Sequence, residues 1–219
     1  PPMFYPTHSA SMVLSAIHEH ATKVSCFGLR DDFHTDNIYG DGKNEWDNPF
    51  SNETALLRMS GGGVVRLNEF RRVGINKPSS YITAFYGDLE NVGKLVNTCR
   101  YNNEMALGGL EAPANGVRYI EGFSPIQDRS RLPKAMRTLA PGPHYNTHAF
   151  LVDDFCRAVV EEKLPPNNAW DAARYMLPGL IAHESALRDG MLMDVPDFGD
   201  APESFERLTC LKKDYYEED

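Results

Sequence analysis

Two strand-like runs, residues 54–59 and 64–70, are separated only by Ser60-Gly61-Gly62-Gly63, and no other feature narrows the fold as much. Parallel strands need a crossover of about a dozen residues, so runs joined this tightly pair antiparallel. Residues 22–29 and 81–86 are further strand candidates, and Gly87-Asp88 reads as another turn. The Asp-, Asn- and Gly-rich stretch 31–52 reads as a long loop, with acids that miss the spacing of a calcium loop.

Helical patterns lie on either side of these strands. Residues 7–17 form the first, with Pro6 placed at its start and Met12, Val13, Ala16 and Ile17 at helical spacing. Residues 149–163 form the second, with Asp153 and Asp154 early and Lys163 at its end, as the helix dipole favours. A third, 169–188, puts Ala172, Met176, Leu180, His183 and Leu187 on one face, carries Pro178 inside and stops at Asp189-Gly190. Strands and helices therefore come as blocks. The expected fold is α+β, an open, mainly antiparallel sheet with helices on one face. The chain reads as a single domain over 1–219, with a leading helix in 1–20, the sheet in 21–120, and a loop, helical pair and tail in 121–219.

Composition excludes several functions. The 219 residues carry a formal charge of −9, which argues against nucleic acid and acidic membrane surfaces. Apolar runs extend only a few residues, against the ~20 of a membrane span. No signal peptide is visible, and the opening Pro1-Pro2-Met3-Phe4-Tyr5-Pro6 reads as the start of a piece whose upstream sequence is missing. Cys26, Cys99, Cys156 and Cys210 form no CxxC pair, so reduced, mostly buried thiols in a cytoplasmic protein are expected. No GxGxxG or P-loop string occurs: Gly40-Asp41-Gly42 lacks the third glycine, and Gly61-Gly62-Gly63 sits between two strands.

Four strings carry a resemblance. They are Phe4-Tyr5-Pro6-Thr7-His8-Ser9, Met59-Ser60-Gly61-Gly62-Gly63-Val64-Val65-Arg66, residues 148–160, and residues 168–187 with Pro178-Gly179 and His183-Glu184-Ser185-Ala186. Together they resemble the glucose–fructose oxidoreductase / inositol dehydrogenase family (Gfo/Idh/MocA). Members of that family have an N-terminal Rossmann domain for NAD or NADP. An α+β domain follows, with an open, largely antiparallel sheet that supplies substrate contacts and often the oligomer interface. The resemblance implies that this chain is the second domain alone. It would bind no NAD or NADP by itself and would be inert without the cofactor half.

His8 is the leading catalytic candidate. The family commonly opens this domain with Asp-x-x-x-His, whose imidazole exchanges a proton with a sugar hydroxyl as hydride leaves its carbon. Imidazole suits that role because its pKa lies near neutrality. The positive end of the helix dipole favours its neutral, base-competent form. The alternative is that His8 merely caps or lines the helix start. Phe4 stands where the family has Asp, and a phenyl ring can neither accept a hydrogen bond nor stabilise an imidazolium. This departure leaves room for transient oxidation of a glycoside followed by elimination of its aglycone. Tyr5, next to it, is the second catalytic candidate.

His144 and His148 form an HxxxH pair without an acidic third ligand, so metal binding is not expected. The resemblance makes them candidates for binding sugar hydroxyls; a plain loop is the alternative. His183, on an apolar face, reads as a satisfied core residue. Arg66 alternates with Asn68, Phe70 and Arg72 on a mixed face that suits a polar ligand or a second subunit, and is taken as a substrate contact. The expected partners are a sugar or glycoside and a second copy through the sheet face, with no nucleic acid and no membrane. The alternative function is a non-catalytic carbohydrate-binding or dimerisation module that retains the fold.

Overall fold

The computed structural model describes residues 1–33, 36, 38–72, 129–138, 148–209 and 216, and the backbone of 82–86, 91–96 and 147. The chain divides into two compact units, Pro1–Lys77 with Ala169–Asp200, and Pro78–Asn168 with Ala201–Asp219.

In the first unit, β1 (Ala21–Arg30), β2 (Phe50–Met59) and β3 (Val64–Phe70) form an antiparallel meander. The β2–β3 reversal is the triglycine turn, where Gly62 has φ 93° and its N–H donates to the Met59 carbonyl at 3.0 Å. A side chain there would be strained, which is why glycine serves. The short β6 (Met193–Asp194) pairs with Lys23 and Val24, giving the order β3-β2-β1-β6. The tail thus contributes a strand that the region 21–120 did not include. A two-residue run shows too little alternation to be recognised.

One face of this sheet is dry. Val24, Cys26, Ala55, Leu57, Met59 and Leu67 point inward against α1 (Thr7–Ile17) and α4 (Ala169–Ala186). Fully burying each large apolar side chain contributes about 1.5–3 kcal/mol, so this core holds the unit together. The fold is the α+β arrangement expected: an open antiparallel sheet with helices on one face.

Some boundaries differ from the sequence reading. The 31–52 loop is shorter, because β2 begins at Phe50. The Asn48 amide donates to the Phe50 carbonyl at 2.9 Å and accepts from the Phe50 N–H at 3.0 Å, which turns the chain into the strand. Along α4 the buried positions are Pro178, Gly179, Ala182, His183, Ser185 and Ala186, whereas Leu187 is 49% exposed. The helix ends before Leu187, and Asp189 (φ 54°) and Gly190 (φ 80°) take the left-handed turn that stops it. Pro178 stays inside the helix and is buried.

The second unit contains the antiparallel pair β4 (Ile82–Tyr86) and β5 (Asn91–Val96). It also holds α2 (Lys134–Arg137) and α3 (Thr147–Glu161). Because α3 starts at Thr147, Asp153 and Asp154 fall in its second turn, and the expected match of acids to its N-terminal dipole is not realised. Asp154 instead meets Arg131 at 3.6 Å, whose guanidinium lies 4.3 Å from the centre of the Phe150 ring. Asp153 accepts the Tyr216 hydroxyl at 2.7 Å. Among the described cysteines, Cys26 is a buried free thiol and Cys156 on α3 is an exposed one; Cys99 and Cys210 lie outside the described residues.

Candidate active site

The segment ahead of α1 is built from prolines that leave little backbone choice. Pro2–Phe4 makes one 3₁₀ turn, and Pro6 begins α1 with helical dihedrals of φ −86° and ψ −8°. The Pro6 carbonyl accepts the N–H groups of Ser9 at 3.0 Å and Ala10 at 2.7 Å. Ala10 and Leu14 then anchor the helix in the core beside Leu67. On the exposed side, the Tyr5 and His8 rings lie 5.1 Å apart and tilted by 44°. Tyr5 is 57% exposed and His8 is half-buried, so the pair borders solvent.

Against this segment lie two polar nodes, one buried and one partly exposed. Glu53 on β2 is wholly buried; its Oε1 lies 2.8 Å from His183 Nδ1, and its Oε2 accepts the Met3 N–H at 2.9 Å. An ionised carboxylate only accepts, so Nδ1 of His183 carries the proton in this arrangement. The Phe4 ring meets His183 edge-on at 5.0 Å and Phe50 meets it at 5.9 Å. At the second node, Glu69 on β3 accepts the Ser9 hydroxyl and, at 2.9 Å, Arg71 Nη1. Arg71 Nη2 also donates to the Pro2 carbonyl at 3.2 Å.

Neighbouring groups support this core. The Cys26 N–H donates to Ser185 Oγ at 2.9 Å, and that hydroxyl donates to the Met191 carbonyl at 2.7 Å. Burial, reinforced by the Glu53 charge, pushes the Cys26 thiol up to about 12, which leaves it inert near neutral pH.

The structure brings two predicted residues together and separates the others. Tyr5 and His8 are neighbours. Phe4 packs on His183, and the ring that meets His8 belongs to Tyr5. Arg66 is exposed, opposite Leu56 on the outer face of the sheet, so it does not share a face with α1. His148 is exposed in the first turn of α3, in the second unit, and His144 lies outside the described residues. His183 is the satisfied core histidine expected, 2% exposed.

Sequence reading missed Glu53, Glu69 and Arg71. Inner-face alternation held the signal: Glu53 leads Ala55, Leu57 and Met59, and Glu69 follows Leu67, so each carboxylate occupies an apolar position. Among the described residues, no group of three His, Cys, Asp or Glu side chains is arranged to hold a metal. No described helix is long and apolar enough to cross a membrane.

No family model matches the sequence. No curated protein matches it either. Among solved structures the chain is similar to a probable dehydrogenase from Thermotoga maritima, at 12% identity and a TM-score of 0.43, covering 87% of this chain and 48% of that one. An oxidoreductase domain protein from Kribbella flavida aligns at 15% identity and a TM-score of 0.42, covering 88% and 50%. Levoglucosan dehydrogenase in its apo form aligns at 16% identity and a TM-score of 0.44, covering 89% and 51%. The chain thus spans about half the length of each of these structures.

Proposed function

We propose that the chain is the substrate-binding and assembly domain of an NAD- or NADP-dependent oxidoreductase acting on a sugar, polyol or glycoside. In this reading it is inert without an N-terminal cofactor domain, binds neither NAD nor NADP alone, and works in the cytoplasm. The observation that carries the reading is the pairing of His8 with Tyr5 at the border of solvent, above a buried polar base. The α+β fold and the four resembling strings support it. His8 exchanges a proton with the reacting hydroxyl; a nicotinamide cofactor held by the other half would supply the hydride acceptor. Tyr5 borders the imidazole and serves as a second hydroxyl for orienting substrate. His144 and His148 remain proposed sugar contacts; Arg66, on the sheet face away from α1, is proposed as a contact for a sugar on that outer face and not for the one at His8.

The test uses the full-length protein, with D-glucose, myo-inositol or p-nitrophenyl glucoside as probe and NAD⁺ or NADP⁺ as acceptor. His8→Ala should lower turnover by roughly 10²–10⁴ while KM changes little. Unchanged turnover sinks the assignment and passes the chemistry to Tyr5. Release of p-nitrophenol without net cofactor reduction would identify the oxidation–elimination route, in which the hydride returns to the sugar.

A second reading, a non-catalytic carbohydrate-binding or dimerisation module, draws on a different observation. Phe27, Leu29, Leu56, Val64 and Phe70 are exposed on the outer face of the sheet. A face of that character suits a second copy of the chain, and assembly through it is common to both readings.

A further inference from the structure

We propose that Glu69 is a positioning residue for His8, because its carboxylate ties down both ends of the stretch that carries Tyr5 and His8. The inference rests on the proposed role of His8 for its consequence in turnover, but the tie itself is independent of that role.

Glu69 sits near the end of β3, 5% exposed. Its Oε1 accepts the Ser9 hydroxyl, one residue beyond His8. Its Oε2 accepts Arg71 Nη1 at 2.9 Å, and the other arm of that guanidinium donates to the Pro2 carbonyl at 3.2 Å. Glu69 together with Arg71 therefore links the 3₁₀ turn at Pro2–Phe4 to the first turn of α1. Between the two tied points lies the joint of the segment. Tyr5 leaves the first turn at φ −130° and ψ 57°, and Pro6 enters the helix. The angle at this joint sets how the Tyr5 and His8 rings face one another across 5.1 Å. Charge-assisted hydrogen bonds are about twice as strong as neutral ones, so an ionised Glu69 holds the joint far better than an amide would. Without it, the single proton of the Ser9 hydroxyl can turn to the Pro6 carbonyl, 3.0 Å away, a contact local to the start of α1 that does not constrain the joint. Glu53 holds Met3 from the other side, yet nothing in that contact reaches α1.

The experiment reads His8 directly. In the 219-residue chain labelled with [¹³C]histidine, the ring-current shift that Tyr5 exerts on His8 is measured as the difference between wild type and Tyr5→Leu. Glu69→Gln is expected to remove at least half of this shift in the folded protein. Ser9→Ala, which cuts one link and leaves the Glu69–Arg71 pair, is expected to remove a smaller part and stands in if Glu69→Gln does not fold. A shift unchanged in both variants overturns the tie. In the full-length enzyme, with the same three probes, Glu69→Gln should lower kcat about tenfold or more at unchanged KM. Wild-type kcat in Glu69→Gln, where His8→Ala is crippled, overturns the positioning role. Wild-type kcat in His8→Ala instead removes the reading of His8, and the ring-current measurement still decides the tie.

Discussion

His183 Nδ1 lies 2.8 Å from Glu53 Oε1, joining α4 to β2 at a point where both side chains are sealed from solvent. Breaking such a pair strands a charge or a donor in the core, at a cost of about 3–5 kcal/mol. Urea unfolding should show that loss for Glu53→Ala and for His183→Ala. The double variant should lose less than the sum, because the two groups act as one unit. A loss below about 1 kcal/mol in either single variant would contradict the pairing.

Cys26 and Cys156 should differ sharply toward iodoacetamide. The buried Cys26 thiol, pushed up to about 12, has roughly 10⁻⁴ of its population as thiolate at pH 8, whereas Cys156 is exposed. Mass spectrometry of the native protein should find Cys156 alkylated and Cys26 intact until the chain unfolds.

The same thiol gives an alkaline dependence. Its folded pKa lies above the ordinary value of 9.0, so the folded state holds the proton more tightly than the unfolded one. Stability from this group is complete below pH 9 and declines as pH rises from there toward about 12, by at most ~1.4 kcal/mol per pH unit. Cys26→Ala should flatten the decline; an identical alkaline profile in that variant would assign it to other groups.

Gly179→Ala should destabilise by steric overlap alone. A Cβ there would lie 2.2 Å from the Met3 carbonyl oxygen and 2.5 Å from Pro6 Cγ, and backbone cannot yield as a flexible side chain can. Overpacking of this kind costs about 1–3 kcal/mol, which calorimetry would register as a lower Tm.

Arg174 holds the Asp197 carboxyl below its usual range through a bidentate pair at 2.8 and 2.9 Å. A depressed folded pKa contributes stability that is present above the ordinary value near 3.8 and lost as pH falls through and below it. Being near the surface, the pair should contribute under about 1 kcal/mol. Arg174→Ala should therefore lower neutral stability by under about 1 kcal/mol, and the difference from wild type should vanish as pH falls below about 3.8.

Association through the sheet is tested at Leu56, which is 53% exposed in the middle of β2. If copies pair on this face, light scattering at micromolar concentration should show a dimer or larger, and Leu56→Asp should reduce it to monomer. A wild-type monomer would remove the sheet-face partner from both functional readings.

Much of the scaffold was legible in the residues themselves. The triglycine turn dictated an antiparallel hairpin because no crossover fits in it, and β3 runs over the stretch its alternation indicated. Pro6 marked the start of α1, and Asp189-Gly190 marked the stop beyond α4, since both rest on local backbone preferences. His8 and Tyr5 were singled out through the resemblance carried by Phe4-Tyr5-Pro6-Thr7-His8-Ser9, and a three-residue separation lets the fold set their rings 5.1 Å apart. What tertiary structure alone decided were the pairings across the chain. Glu53 meets His183, Glu69 meets Ser9, and Met193–Asp194 becomes a strand, each between residues far apart in sequence. Local periodicity says which side of an element is dry, but not which element will cover it. For that reason the sequence showed where α1 would place His8, while only the folded sheet showed that buried carboxylates on β2 and β3 lie beneath it.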